Sequence, residues 1–176
     1  TAPMDTLLGE RPNDDYLRGT LSYTDAGGRV FNFDVGVSTR GNFRRQAKVC
    51  PFPPLRINFK KSQVKGTLFR HQDKLKLVSH CRDRDNYEQN VLEEYLAYRI
   101  YNLLTDISFR VRLARITYLD SRGEDDPVTR MAFLIEDEDS MAARVDGRMM
   151  EVPAAPASHF QQDQAGLMYI YQFMIG

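Results

Sequence analysis

Three basic residues crowd one glycine in the stretch STRGNFRR, residues 38–45: Arg40 precedes Gly41, and Arg44 and Arg45 follow it. The chemistry such a stretch suits is anion binding. A glycine directly after a strand lets main-chain amides approach an oxyanion. The planar forks of Arg40 and Arg44 can each hold a phosphate through two parallel hydrogen bonds. The same residues also make an ordinary solvated turn. There is no G-x-G-x-x-G, no Walker pattern and no helix opening directly behind the glycine, so both readings stay open. The second group with chemistry is Cys50, Cys81 and the neighbouring His80. It admits a disulfide, a pair of inert buried thiols, or a zinc site that recruits His80. His71, His80 and His159 show no metal-ligand spacing, no G-x-S-x-G elbow occurs, and Cys50 beside Pro51 and Phe52 is poorly placed as a nucleophile.

Alternating strands must position these groups. LRGTLSY (17–23) alternates, DAGG makes a turn, and 29–39 alternates again with Phe31, Phe33, Val35 and Val37 on one face. LRINFKK (55–61) puts Leu55, Ile57 and Phe59 on one side and Arg56, Asn58 and Lys60 on the other. KLKLVSHC (74–81) is a fourth strand. Antiparallel pairing of these last two brings Cys50 beside Cys81, which favours an oxidising, extracytoplasmic location if they bond. Asp85 followed by Glu88 predicts a capped helix start. Val91, Leu92, Tyr95, Leu96, Ile100, Leu103 and Leu104 then predict a helix to 104, with Glu88 and Arg99 falling inside the apolar face. RVRLARITYLD (110–120) predicts a strand with a bulge, and TRMAFLI (129–135), apolar on both faces, a central one. EDEDSMAARVDGR predicts an acidic turn and a short helix capped by Asp139 or Ser140. Residues 165–175 predict a last helix. With no βαβα alternation, the fold class is α+β with a mostly antiparallel sheet.

The 176 residues are ordinary in composition, with 24 basic and 24 acidic side chains and zero formal net charge. That balance argues against nucleic acid as the main partner. No apolar run is long enough for a transmembrane segment. Both ends of the chain are abrupt, which predicts a piece of a longer protein, and the apolar final helix predicts self-association.

Four strands, a long helix, two strands, an acidic connection and a helix follow the plan of a protein-kinase-like N-lobe running through a hinge into a C-lobe. STRGNFRR, CPFPPLRINFKK, KLKLVSHCRD, NVLEEYLAYRIYNLL, RVRLARITYLD and AFLIEDEDSMAAR are similar to motifs of the CotH family, the spore-coat-H-type atypical kinases. The resemblance implies an N-lobe over 1–135, with 136–176 as hinge and start of a truncated C-lobe. It implies an ATP-dependent protein kinase using magnesium and acting on a protein substrate, some members of the family acting on secreted or coat proteins. The family's catalytic and metal-binding aspartates lie beyond the last helix, so no catalytic residue or metal ligand is assigned within 1–176, and the chain alone is expected to be inactive. The implied nucleotide contacts are Lys76, with Glu88 or Glu93 as its helix carboxylate, Arg56 as rival cation, Arg40 and Arg44 from the loop, and the main chain of Leu134–Glu136 against an adenine edge. Two alternatives stand beside this: a non-catalytic surface or assembly protein of the same fold, and an unrelated module binding carbohydrate or peptide.

Overall fold

A computed structural model describes every residue except Pro153 and Gly176, and of Asp85 the backbone alone. The elements run α1 (Met4–Gly9), β1 (Leu17–Thr24), β2 (Val30–Thr39), β3 (Leu55–Phe59), β4 (Lys74–Val78), α2 (Asp85–Leu104), β5 (Val111–Tyr118), β6 (Val128–Glu136), α3 (Glu138–Arg144) and α4 (Gln162–Ile175), with a short 3-10 turn at Ala157–His159. The strands form one antiparallel sheet in the order β1-β2-β3-β4-β6-β5. β6 is central, as its two apolar faces require. The β5–β6 register runs unbroken from Val111↔Ile135 to Tyr118↔Val128. The expected bulge is therefore absent. The uneven alternation of β5 comes from arginines at Arg112 and Arg115, not from an extra residue.

Alternation gives the sheet two faces. One gathers Phe33, Val35, Val37, Leu55, Ile57, Phe59, Leu75, Leu77, Ala132 and Leu134, with Met4 and Leu7 of α1 and Val64 and Phe69 of the β3–β4 loop packed on it. The other carries a smaller cluster, Val78, Phe133 and Ile135, under Val91, Tyr95 and Tyr98 of α2. Helix α2 thus meets the sheet through the row 91, 95, 98. The periodic residues Leu96, Ile100, Leu103 and Leu104 face outward instead. Two apolar rows run down this helix, and period alone does not say which one the sheet takes.

The β1–β2 turn is held by Asp25, whose Oδ1 accepts the N–H of Gly27 and of Arg29, both at 2.9 Å, while Gly28 takes φ +81°. The helix caps differ from expectation. Arg84 occupies the cap position of α2 with extended backbone and no side-chain cap bond, and the Asp85 side chain lies outside the described residues. Asp137, rather than Asp139 or Ser140, caps α3 by accepting the Asp139 N–H. α4 lies against α2 through Tyr171, the one buried residue of that helix, whose ring sits 4.9 Å from that of Tyr101. Tyr169, Ile170, Phe173 and Met174 are exposed.

Candidate functional site

The face under α2 does not stay apolar across the sheet. Register places Ser38, Arg56, Lys76 and Ile135 in one row. α2 covers the Ile135 end, and the row turns cationic beyond it. Arg40, two residues past Ser38, belongs to the same side, close enough to feel the Arg56 charge and to act on Lys76. Lys76 is 6% exposed. Its ammonium lies 5.1 Å from the centre of the Phe109 ring and pairs with Glu138 of α3. Burial, reinforced by the Arg40 and Arg56 charges and opposed by Asp137, pulls its pKa down to about 8. Burial, with Arg56 behind it, likewise holds Arg40 below its ordinary value. Neither Arg40 nor Arg56 has an ion-pair partner among the described residues. Ser38 is fully buried beside Arg56, and its Oγ has no hydrogen-bond partner among the described residues.

The loop after β2 flanks this recess and is fixed at several points. Gly41 takes φ +88°, a conformation that side-chain-bearing residues rarely adopt. Arg44 reaches α2 and holds Glu94 Oε2 with both terminal nitrogens at 3.1 Å. From behind, Arg11 donates to the carbonyls of Arg45, Cys50 and Pro51 at 2.7–2.9 Å. Arg82 donates to those of Lys48 and Val49 at 3.2 Å. A Cys50–Cys81 disulfide closes a span of 31 residues. The disulfide overturns the inert-thiol and zinc readings: both sulfurs are spent, and His80 stacks against Phe52 at 4.5 Å and lies 5.9 Å from the Tyr118 ring.

The helix carboxylate at the recess is Glu94, not Glu88 or Glu93. Glu88 accepts the Met131 main-chain N–H, and Glu93 accepts from Gln89 at 2.9 Å on the exposed side. Glu94 shares the sheet-facing stripe because it stands three residues after Val91 and four before Tyr98. Its charge, after burial, pushes the Tyr98 hydroxyl up in pKa. The spacing 91, 94, 95, 98 was the available signal, and it was hidden by the stronger outward row. Arg40, Arg44, Arg56 and Lys76 are brought together. Leu134 is not: it pairs with Leu77 on one side and Arg112 on the other, and its side chain belongs to the opposite core. The Glu136 N–H is spent on the Arg110 carbonyl at 3.0 Å, and its carboxylate is clamped by Arg144 at 2.9 and 3.1 Å. Neither residue has its main-chain N–H free. The chain leaves the sheet at Asp137. Glu138, which reaches Lys76, was not anticipated.

An apolar cavity of about 750 Å³ adjoins the recess between α2 and α4, sharing Glu94, Tyr98 and Phe109 with it and lined further by Met141, Met168 and Tyr171. Chemically, the arrangement is a fixed set of mutually repelling cations beside an apolar hollow, with two carboxylates, Glu94 and Glu138, each neutralising one cation. Such a set is suited to an anion that brings several negative oxygens at once. Against known family models, curated proteins and solved structures alike, the chain matches none of them.

Proposed function

We propose that the recess binds the phosphates of a nucleotide, and that the chain is the nucleotide-binding part of a CotH-like kinase fold. The observation that carries this is a buried lysine, Lys76, cross-strand from Arg56 and near Arg40, two arginines without an ion-pair partner among the described residues. Burying like charges together costs stability, and a triphosphate compensates that cost. The unbonded Ser38 hydroxyl adds a donor beside Arg56. The adjoining apolar cavity has the size and lining of a site for a planar base.

The strand order supports the kinase-like reading. The helix enters between β4, which bears Lys76, and the β5–β6 pair that completes the sheet, and the chain leaves the central strand β6 next to the lysine. Glu94 replaces Glu88 and Glu93 in the role of helix carboxylate. Among the described residues no group of three or more His, Cys, Asp or Glu is arranged to hold a metal. Magnesium therefore enters this proposal only as the companion of the phosphates. No step of phosphate transfer is assigned to residues 1–176. We place the protein outside the cytoplasm, where its disulfide persists; among the described residues no helix is long and apolar enough to cross a membrane.

Thermal unfolding with and without Mg-ATP tests the proposal. At 100 times its dissociation constant a ligand adds roughly 2.7 kcal/mol. Lys76→Ala is expected to abolish the shift. No shift for the parent chain at millimolar Mg-ATP, or an equal shift for Lys76→Ala, overturns it.

A further inference from the structure

Arg99, Arg110 and Arg112 take no part in the Lys76 recess. They line a recess of their own, about 390 Å³, between the C-terminal half of α2, the start of β5 and the β3–β4 loop. Leu75 and Leu134 in its wall belong to the core on the sheet face opposite Lys76. Arg99, which helical period put inside an apolar face, is exposed and makes one long contact, 3.5 Å to the Tyr95 hydroxyl. Ion-pair partners for the three guanidinium groups do not occur among the described residues. The carboxylate in the wall, Glu136, is already taken. Arg144 holds its two oxygens at 2.9 and 3.1 Å, and Oε2 also accepts the Arg110 main-chain N–H at 3.1 Å.

Two amides complete the wall. Gln72 ends a tight turn: its N–H donates to the Phe69 carbonyl at 2.9 Å, and His71 before it takes φ +67°. The Gln72 Oε1 is buried with no hydrogen-bond partner among the described residues. Asn102 spends its Nδ2 on Ser108 Oγ at 2.8 Å and on the Phe109 carbonyl at 2.9 Å, which leaves its Oδ1 as an acceptor. Guanidinium forks suit the oxygens of a tetrahedral anion. An amide oxygen repels a bare oxyanion and suits an O–H. A buried acceptor without a partner costs stability, and an O–H brought by a ligand recovers it. The ligand that satisfies both sets of groups is an oxyanion carrying its own proton.

We infer that this recess binds inorganic phosphate, as hydrogenphosphate, in preference to sulfate. Arg99, Arg110 and Arg112 meet the charged oxygens, and Gln72 accepts a hydrogen bond from the protonated one. Sulfate has the same shape and charge but no proton at neutral pH, so it sets a bare oxygen against the Gln72 oxygen. The dianion of a phosphate ester has the same defect, which is why free phosphate is the ligand. This inference stands apart from the nucleotide proposal, since it uses none of Lys76, Arg56 and Arg40.

The experiment uses the full chain with sodium phosphate and sodium sulfate at equal ionic strength and neutral pH. It is read by calorimetric titration and by the arginine Nε signals in nitrogen NMR. Phosphate is expected to bind about tenfold more tightly than sulfate and to shift the signals of Arg99, Arg110 and Arg112. Arg99→Gln and Arg112→Gln, at exposed positions, are each expected to weaken phosphate about tenfold while leaving the unfolding temperature nearly unchanged. Gln72→Leu is expected to bring phosphate down to the sulfate level, a loss of discrimination that a merely structural glutamine would not produce. Lys76→Ala is expected to leave the phosphate response of these arginines intact, whatever it does to Mg-ATP. Absence of binding at millimolar phosphate, equal affinity for sulfate, shifts confined to Arg40 and Arg56, or discrimination that survives Gln72→Leu would each overturn the inference.

Discussion

The side of the sheet that faces α2 holds two regions that differ in almost everything except their backbone. Under α2, Phe133, Ile135 and Val78 meet Val91, Tyr95 and Tyr98 in a dry contact. Beside it, Lys76 on β4 faces Ile135 across the ladder and carries the row on to Arg56 and Ser38 on the next two strands, with Arg40 just past β2. The first region stabilises the fold by removing apolar area from water. The second costs stability, since a buried ammonium and two guanidinium groups share one paired carboxylate, that of Glu138. A chain that needed only to fold would extend the first region across the sheet. That it does not is what the proposed phosphate site would explain: stability given up there in exchange for binding.

The comparison can be broken or sharpened by substitution. Phe133→Ala, at a fully buried ring, should cost about 3–5 kcal/mol in chemical denaturation. A cost below 1 kcal/mol would mean that α2 does not hold the sheet. Replacing both cysteines by serine should cost about 2–4 kcal/mol for a bridged span of 31 residues, and a reductant should reproduce that loss in the parent chain. Lys76→Met should change stability with a pH-dependent sign. The folded-state pKa near 8 lies below the ordinary 10.5. Between those values the unfolded chain binds a proton that the folded one lacks, so parent stability rises with pH from 8 to 10.5, and the full penalty applies below 8. The substitution should remove a rise on the order of 1–3 kcal/mol; identical pH profiles for the two proteins would contradict the buried cation.

His80 gives a smaller effect of the same sign in a lower window. Burial pushes its pKa below the usual 6.5, so charging is resisted in the fold, and stability falls as pH drops below 6.5. His80→Gln should flatten that slope in an acid titration. Arg44→Ala should have the smallest effect, about 0.2–1 kcal/mol, because the Arg44–Glu94 pair is half exposed. A larger loss would make the loop's link to α2 structural.

Much of this contrast was legible in the residues. Alternation located the first strands and the inward sets Phe33–Val35–Val37 and Leu55–Ile57–Phe59, an uneven alternation located β5, a run apolar on both faces located β6, and antiparallel pairing of β3 with β4 put Cys50 beside Cys81. The same pairing set Arg56 next to Lys76. What was not legible depended on choices that local pattern leaves open. Helix α2 has two apolar rows, and which row the sheet takes decides that Glu94, not Glu88 or Glu93, reaches the cations. Glu138 reaches Lys76 only because Asp137 ends β6 and starts α3 at once. Thr1 and Ala2, which hydrogen-bond to Thr20 of β1 and to Leu119 and Ser121 past β5, leave no periodic signature, since two residues are too few to show one.

The central claim is that Lys76 sits in a cationic recess awaiting an anion. The most direct measurement is the titration of its Nζ by nitrogen NMR, without and with saturating Mg-ATP. The expected result is a pKa near 8 in the free protein that rises toward 10.5 when phosphate oxygens arrive, because a neighbouring negative charge favours the ammonium. A pKa already near 10.5 in the free chain, or one that ATP leaves unmoved, would contradict it.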